Sequence, residues 1–379
     1  MHNRKQERDA LKRKLEAGVS IHMLAPRRIG KTWTINQLAI DLRESGWRVI
    51  EMDVEGMGAP SEFAHGLCRR LEAQIPKSDA LITHIRQRFT NLIGGNWGSE
   101  RLADALGKLD PIEFAEALIA SVDESAQKTA IIIDEIAYFF HAFATESPKE
   151  AYAFAYRLRA LQQRHRNVRW VLTGSIGLDI IASQYRLEGA FVDFEKFKLE
   201  PFTGEQARSF LRDPQIQQQI TCFFNASDED FEWMFRELGW LGPYYLKLVA
   251  NEVRPSVVGN DGRCAIATRA DFEAAFQRLL GPDRRSDFSV WHEHVDKNLP
   301  EASRAMAKQI VNALSMTADG ETADTLLAKT TQMQGSATQS QIKDVLNALV
   351  NDQLIAKNGD RYAFRSGLVR RYWQEYQAG

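Results

Sequence analysis

The octapeptide Ala25-Pro26-Arg27-Arg28-Ile29-Gly30-Lys31-Thr32 constrains this chain more than any other stretch. It has the form G-x-x-x-x-G-K-[ST], with alanine at the first glycine position, the pattern of a loop that cradles phosphate. Its flanks have the order such a loop needs. Ser20–Leu24 is a short apolar run that reads as a buried strand, and Trp33–Leu38 is helix-compatible. Strand, tight loop and helix together aim backbone N–H groups around Gly30 at an anion, at the positive end of the helix. The same pattern assigns the Lys31 ammonium to the β- and γ-phosphates of ATP and the Thr32 hydroxyl to Mg²⁺. Ala25 through Trp33 is therefore the expected nucleotide-binding segment. The competing reading is a basic surface turn.

A second segment weighs against the turn. Thr129-Ala130-Ile131-Ile132-Ile133-Asp134-Glu135 is an apolar, β-branched run ending in two carboxylates, about a hundred residues downstream. A parallel strand buried on both faces reads this way when it delivers acids to its C-terminal edge. Ligands of open α/β sheets bind at that edge. Asp134 suits the layer of groups that holds the waters around Mg²⁺, and Glu135 suits a general base that orients and polarises an attacking water. Acids in this place also cap helices, so the argument rests on the pair of segments in this order. Asp53 and Glu55 close another strand candidate and rank behind Asp134 and Glu135 for the same duties.

Bulk properties narrow the function classes. The chain has 379 residues, enough for two or three domains, with 44% hydrophobic and 26% charged residues. Its net charge of −2 gives no global field toward nucleic acid or anionic membrane. Cys68, Cys222 and Cys264 are scattered, without metal-ligand spacing, as in a cytoplasmic protein with reduced thiols. Met1–Glu16 is dense in charge and does not read as a signal peptide. No apolar run approaches the roughly 20 residues of a membrane span.

Strand candidates recur at Ile21–Leu24, Arg48–Val54, Thr129–Ile133 and Arg169–Thr173, separated by helical stretches, which predicts βα units and a parallel sheet. Arg4–Ala17 reads as a charged helix with Ala10, Leu11 and Leu15 on its apolar side, leaning on the nucleotide domain. Ser61–Gln127 is a long, mostly helical crossover broken by Gly94-Gly95-Asn96-Trp97-Gly98. From about Lys198 the strand signal stops. Helices are expected from Phe202–Ala207, with Thr203 as N-cap, and at Asp228–Leu238, Pro243–Glu252 and Arg269–Leu280, before a boundary at Gly281-Pro282-Asp283. The last hundred residues or so read as a winged helix: helices at Ala302–Leu314, Ala323–Lys329 and Gln339–Val350, then a hairpin turning at Asn358-Gly359. The expected domains are 1–197 for the α/β phosphate-binding sheet, 198–282 for a helical lid and 283–379 for the winged helix. His22, inside the first strand, reads as a packed core residue. Phe139-Phe140 and Trp240–Tyr245 read as core rather than as a base-stacking platform.

Arg27-Arg28-x-Gly30-Lys31-Thr32, the strand ending Asp134-Glu135, Leu172-Thr173-Gly174-Ser175, Leu199-x-Pro201-Phe202, Gly239–Leu246 and the terminal Tyr362–Arg365 with Leu368–Arg370 together resemble the archaeal-ATPase-like branch of the STAND and AAA+ P-loop ATPases. The resemblance covers most of the chain. It implies a Mg²⁺-dependent ATPase, and a sensor of the γ-phosphate at the end of the fourth strand, here Thr173 or Ser175. It implies a lid helix opening on a Gly-His-Pro element, of which Gly242-Pro243 is present and the histidine is not. Arg27 and Arg28 then either touch phosphate or hold the loop through an acidic neighbour. ATPases of this architecture commonly borrow an arginine from a neighbouring subunit; Arg164, Arg166 and Arg169, before the fourth strand, are the candidates.

Two functional classes follow. One is a molecular switch in which ATP drives self-association or engagement of a partner protein. The other is a DNA-associated loader or regulator. The exposed side of the third C-terminal helix carries Gln339, Gln341, Lys343, Asp344 and Asn347, a single cation where phosphate contacts need several. Arg361, Arg365, Arg370 and Arg371 form a basic cluster in the sequence near the hairpin, which keeps DNA open. The family serves in signalling, DNA transactions and defence against mobile elements, and the sequence does not choose among these.

Overall fold

The computed structural model describes residues 4–25, 28–74, 80–93, 110–174, 177–258, 265–288, 291, 295–296, 299, 301–334 and 338–376. The chain divides into two compact units, one of Arg4–Arg27 with Lys31–Leu199, the other holding Arg28–Gly30 with Glu200–Gly379. The expected break at Gly94–Gly98 and the third cysteine, Cys264, lie outside the described residues.

The first unit runs α1 (Lys5–Glu16), β1 (Ile21–Leu24), α2 (Lys31–Glu44), β2 (Arg48–Asp53), α3 (Pro60–Gln74), α4 (Ala80–Ile93), α5 (Pro111–Glu124), β3 (Thr129–Asp134), α6 (Ile136–Glu146), α7 (Pro148–Arg164), β4 (Val168–Gly174), α8 (Leu178–Tyr185), α9 (Glu188–Phe191) and β5 (Glu195–Lys198). The strands form one five-stranded sheet in the order β2-β3-β4-β1-β5, with every neighbouring pair parallel. Four strands stand on the four apolar runs of the sequence. The fifth, Glu195-Lys196-Phe197-Lys198, corrects the expectation. It pairs along β1 as an edge strand whose outer residues are mostly exposed, so it carries no apolar run to betray it.

Both faces of the sheet are buried, which is why its inner strands read as unbroken apolar runs. Ile131, Ile133, Val168, Trp170 and Leu172 turn toward a cluster built with Phe63, Phe114, Phe139, Phe140 and Phe154. The residues between them, Ala130, Ile132 and Val171, are buried as well. Each such phenylalanine contributes roughly 1.5–3 kcal/mol by leaving water. Phe139-Phe140 is thus core, as expected. Helix α1 buries Leu11 and Leu15 and is tied to α2 by an Arg8–Asp41 pair at 2.7 Å.

The second unit contains α10 (Gly204–Arg212), α11 (Pro214–Gln217), β6 (Phe224–Ala226), α12 (Asp228–Leu238), α13 (Pro243–Glu252), β7 (Val257–Val258), β8 (Ala265–Ala267), α14 (Arg269–Leu279) and a 3₁₀ turn at Pro282–Asp287. It continues with α15 (Glu301–Ser315), β9 (Glu321–Thr322), α16 (Ala323–Gln334), α17 (Gln339–Asn351), β10 (Ile355–Asn358), β11 (Arg361–Phe364) and α18 (Gly367–Tyr376). Thr203 caps α10 as expected: its hydroxyl accepts from Gln206 N at 3.2 Å, while Gln206 Oε1 accepts from Thr203 N at 2.9 Å. The expectation that strand signal ends near Lys198 fails for a small sheet of order β6-β8-β7, whose two- and three-residue strands are too short to show a period. The C-terminal hairpin turns on Gly359-Asp360, one residue later than the Asn-Gly reading, because Asn358 pairs with Arg361.

Helices α12 and α18 interlock at two glycines. A β-carbon on Gly367 would lie 2.2 Å from the Glu237 carbonyl oxygen, and one on Gly239 would lie 2.8 Å from that of Arg365. Ser366 Oγ donates to Leu238 O at 3.0 Å, and Arg371 pairs with Glu237. The arginines of the basic cluster are bonded within the same unit, with Arg361 itself exposed. Arg361 donates to Gly320 O, Arg365 to Ile355 O and Arg370 to Ser315 O, and the Arg365 guanidinium also lies 4.9 Å over the Trp240 ring. Among the described residues no helix is long and apolar enough to cross a membrane.

His22 is buried in β1, 4.0 Å from Asp179. Burial holds its pKa down at about 4 against the ordinary 6.5; Asp179 pulls it up and Lys196 pushes it down. The folded state thus binds fewer protons here than the unfolded chain between those values. The stability contribution is complete above about pH 6.5 and is lost as pH falls toward 4. Urea unfolding should show stability falling over that range, and His22→Gln, neutral throughout, should flatten the part between about pH 6.5 and 5.

Candidate functional site

In a sheet buried on both faces, polar chemistry is confined to the strand ends, and this sheet gathers it at the C-terminal edge. β4 lies between β1 and β3. Register aligns Met23 with Thr173 and Leu24 with Gly174 on one side, and Ile133 with Leu172 on the other. Thr173 therefore sits between the end of β1 and the acid that ends β3. Its hydroxyl is fully buried and has no hydrogen-bond partner among the described residues.

Lys31 is the first residue of α2, and only 9% of it is exposed. Its Nζ lies 2.6 Å from Asp134 Oδ1 and 2.7 Å from Glu135 Oε1. Both carboxylates are largely buried, so the ammonium supplies the charge that makes their burial tolerable. Glu135 caps α6 in the left-handed region, at φ +59, and its backbone N–H donates to Asp134 Oδ1 at 2.9 Å. The turn thus points two carboxylates at one cation. Thr32 is exposed in the first turn of α2, and Ala25 is buried where β1 ends. Trp33 is half-buried, with the Arg8 guanidinium 5.8 Å from its ring.

Arg28, Ile29 and Gly30 belong to the second unit. Ile29 is buried. Arg28 and Gly30 both have positive φ, +68 and +90. The Arg28 guanidinium lies 3.8 Å from the centre of the Tyr244 ring. Its guanidinium meets an aromatic face, and Arg27, the other arginine considered for an acidic partner, lies outside the described residues. Pro243 starts α13, and a β-carbon on Gly30 would lie 3.6 Å from Pro243 Cγ. Tyr244 is the residue the sequence reading missed. Trp240 and Tyr245 are core as expected, whereas Tyr244 is only half-buried and stacks on the loop. Its place directly after Gly-Pro, in the first turn of a helix, was the available signal.

Pro26, Arg27 and Ser175 lie outside the described residues. Asp53 is aligned with Asp134 but stands on the edge strand β2, on the side of β3 away from β1. Its carboxylate accepts from Glu55 N at 2.9 Å, and both residues are exposed. Arg164, Arg166 and Arg169 lie where β4 begins, so within one chain the length of the strand, roughly 20 Å, separates them from the edge that carries Lys31. Arg169 is further committed: it donates to Val168 O and packs against Gly18, and burial lowers its pKa.

Comparison with known proteins places this geometry. Residues 20–181 match the family model described as "AAA domain", and the sheet unit has the P-loop AAA+ fold. No curated protein matches the sequence. Among solved structures, the Walker-type ATPase PABY2304 of Pyrococcus abyssi aligns with a TM-score of 0.65 at 16% identity, covering 98% of this chain and 95% of its own. That likeness carries the fold. More distant are CDC6P from Pyrobaculum aerophilum (TM-score 0.45, 12% identity, 98% and 94% covered) and the ADP form of the ORC2 protein of Aeropyrum pernix (0.45, 12%, 100% and 95%).

The Lys31 contacts generate a stability test. Lys31→Ala leaves two carboxylates facing each other in a half-buried site, so it should cost about 1–3 kcal/mol at pH 7 in urea unfolding.

Proposed function

We propose that this chain is a Mg²⁺-dependent ATP-binding switch that hydrolyses ATP slowly and whose output is a conformational change read by a partner protein or by a second copy. The observation that carries this reading is the Lys31 ammonium set between Asp134 and Glu135 at the strand-end edge, near the buried Thr173 hydroxyl, which has no partner among the described residues. Lys31 places positive charge for the β- and γ-phosphates. Glu135 accepts the proton of an attacking water. Thr173, or Ser175 beyond it, hydrogen-bonds the γ-phosphate or that water. Ala25–Trp33 contributes the backbone cradle.

The donor set fits Mg²⁺. The Asp134 carboxylate is partly open and the Thr32 hydroxyl is exposed, and this ion takes one or two protein oxygens while phosphate and water complete its shell. A fully protein-built metal site is not required, and among the described residues no group of three His, Cys, Asp or Glu could hold a metal. When bound, the ion would neutralise charge on the phosphate oxygens.

We further read 198–282 as a lid with a helix opening at Pro243, and 283–379 as a winged helix that serves packing. The four C-terminal arginines, each bonded within the unit, support an internal module over a DNA reader. A DNA-associated loader is the weaker reading. Sedimentation with and without ATP, with DNA in a parallel sample, separates the two: an ATP-dependent change in assembly supports the switch, and DNA binding that tracks ATP supports the loader.

Lys31→Ala should abolish ATP binding in calorimetry. Glu135→Gln should bind Mg·ATP as the parent does and hydrolyse it about 10²–10⁴ times more slowly. Asp134→Ala should weaken the Mg²⁺-dependent part of binding. Indistinguishable behaviour of the Asp134 and Glu135 variants would undo this division of roles.

A further inference from the structure

We propose that Tyr244 is a positioning residue for the phosphate-binding loop: its ring grips the Arg28 guanidinium and so keeps Arg28 in the left-handed conformation that shapes the loop. The proposal deepens the ATP-binding reading and rests on it for its affinity arm.

A bulky side chain avoids positive φ unless its surroundings impose it. Arg28 stands at φ +68, and its side chain is gripped in that conformation. The guanidinium lies 3.8 Å from the Tyr244 ring centre, well inside the roughly 6 Å over which a cation is drawn to an aromatic face. The main chain runs close to the same turn, because a β-carbon on Gly242 would lie 3.2 Å from Arg28 O. The ring of Tyr244 thus grips the side chain of a loop residue whose carbonyl passes near Gly242.

Tyr244 is itself anchored. Its ring meets Tyr245 edge-on at 5.3 Å, and the Tyr245 hydroxyl accepts from Trp291 Nε1. The Tyr244 hydroxyl donates to Asp287 at 3.4 Å, and burial raises its pKa so that it keeps the proton it donates. Asp287 lies 3.6 Å from Arg284. A ring fixed at both ends can hold a cation over its face. A freely rotating one would surrender that geometry to entropy.

The test compares Tyr244→Leu and Tyr244→Phe in the full chain, each alone and in an Arg28→Gly background. The measurements are Mg·ATP affinity, kcat at saturating ATP, and amide exchange at Ile29 and Gly30 without nucleotide. Tyr244→Leu should weaken ATP binding roughly tenfold, leave kcat at saturation within about twofold and speed exchange at the two amides. Tyr244→Phe, which keeps the ring, should recover most of the affinity. In the Arg28→Gly background, where glycine takes positive φ freely, Tyr244→Leu should add nothing. If Tyr244→Leu does not fold, Arg28→Met reads the same contact by removing the cation, with the same expected loss. Unchanged exchange in Tyr244→Leu, or its full effect persisting without Arg28, overturns the proposal. Faster exchange in a parent protein that binds no ATP overturns the ATP reading and leaves the grip on Arg28 standing.

Discussion

Burial of the central sheet on both faces is the constraint from which the rest of the first unit follows. With helices against each face, the inner positions of β3 and β4 carry no charge, and charged groups collect toward the strand ends, Arg169 near the start of β4 and Asp134 at the end of β3. Insertion of β4 between β1 and β3 then decides which groups meet. The loop leaving β1 delivers Lys31, the end of β3 delivers Asp134 and Glu135, and the intervening strand contributes an uncharged hydroxyl, Thr173. Two carboxylates this well covered need a cation. Placing that cation at the start of α2 couples the helix to a strand more than a hundred positions away in sequence.

Where apolar periodicity or a cap fixes an element, the sequence was a good guide. Ile131–Ile133 announces a doubly covered strand, and Thr203 with Gln206 announces a helix start. Lys31, Asp134 and Glu135 could be paired in advance because a phosphate loop and an acid-ended strand need each other at one sheet edge. Other features left no local trace. β5 is stabilised by pairing with β1 rather than by burying its own residues, so Glu195–Lys198 reads as polar loop. Strands of two or three residues such as Val257–Val258 are too short to express alternation. Tyr244 was absorbed into an aromatic stretch that is otherwise core, because one-dimensional pattern cannot tell which of two adjacent tyrosines faces inward.

The C-terminal arginines show how charge in sequence and charge at a surface differ. Arg361, Arg365, Arg370 and Arg371 look like an electrostatic patch when read in line. In the fold each guanidinium is a cross-link: three satisfy carbonyls, and one joins α18 to Glu237 on α12. Guanidinium groups suit this task because several donors in a rigid plane can satisfy otherwise stranded acceptors. With Gly239 and Gly367 bringing backbones together, the α12–α18 contact leaves no slack for a side chain.

The outer strand β5 carries a consequence for aggregation. It is short, charged at three of its four positions in Glu195-Lys196-Phe197-Lys198, and engages two of those charges through Lys14–Glu195 and Lys196–Asp179. An intruding strand would have to strip water and partners from these groups before it could dock its own amides, which makes this margin a poor template for growth into fibrils or sheet-to-sheet dimers.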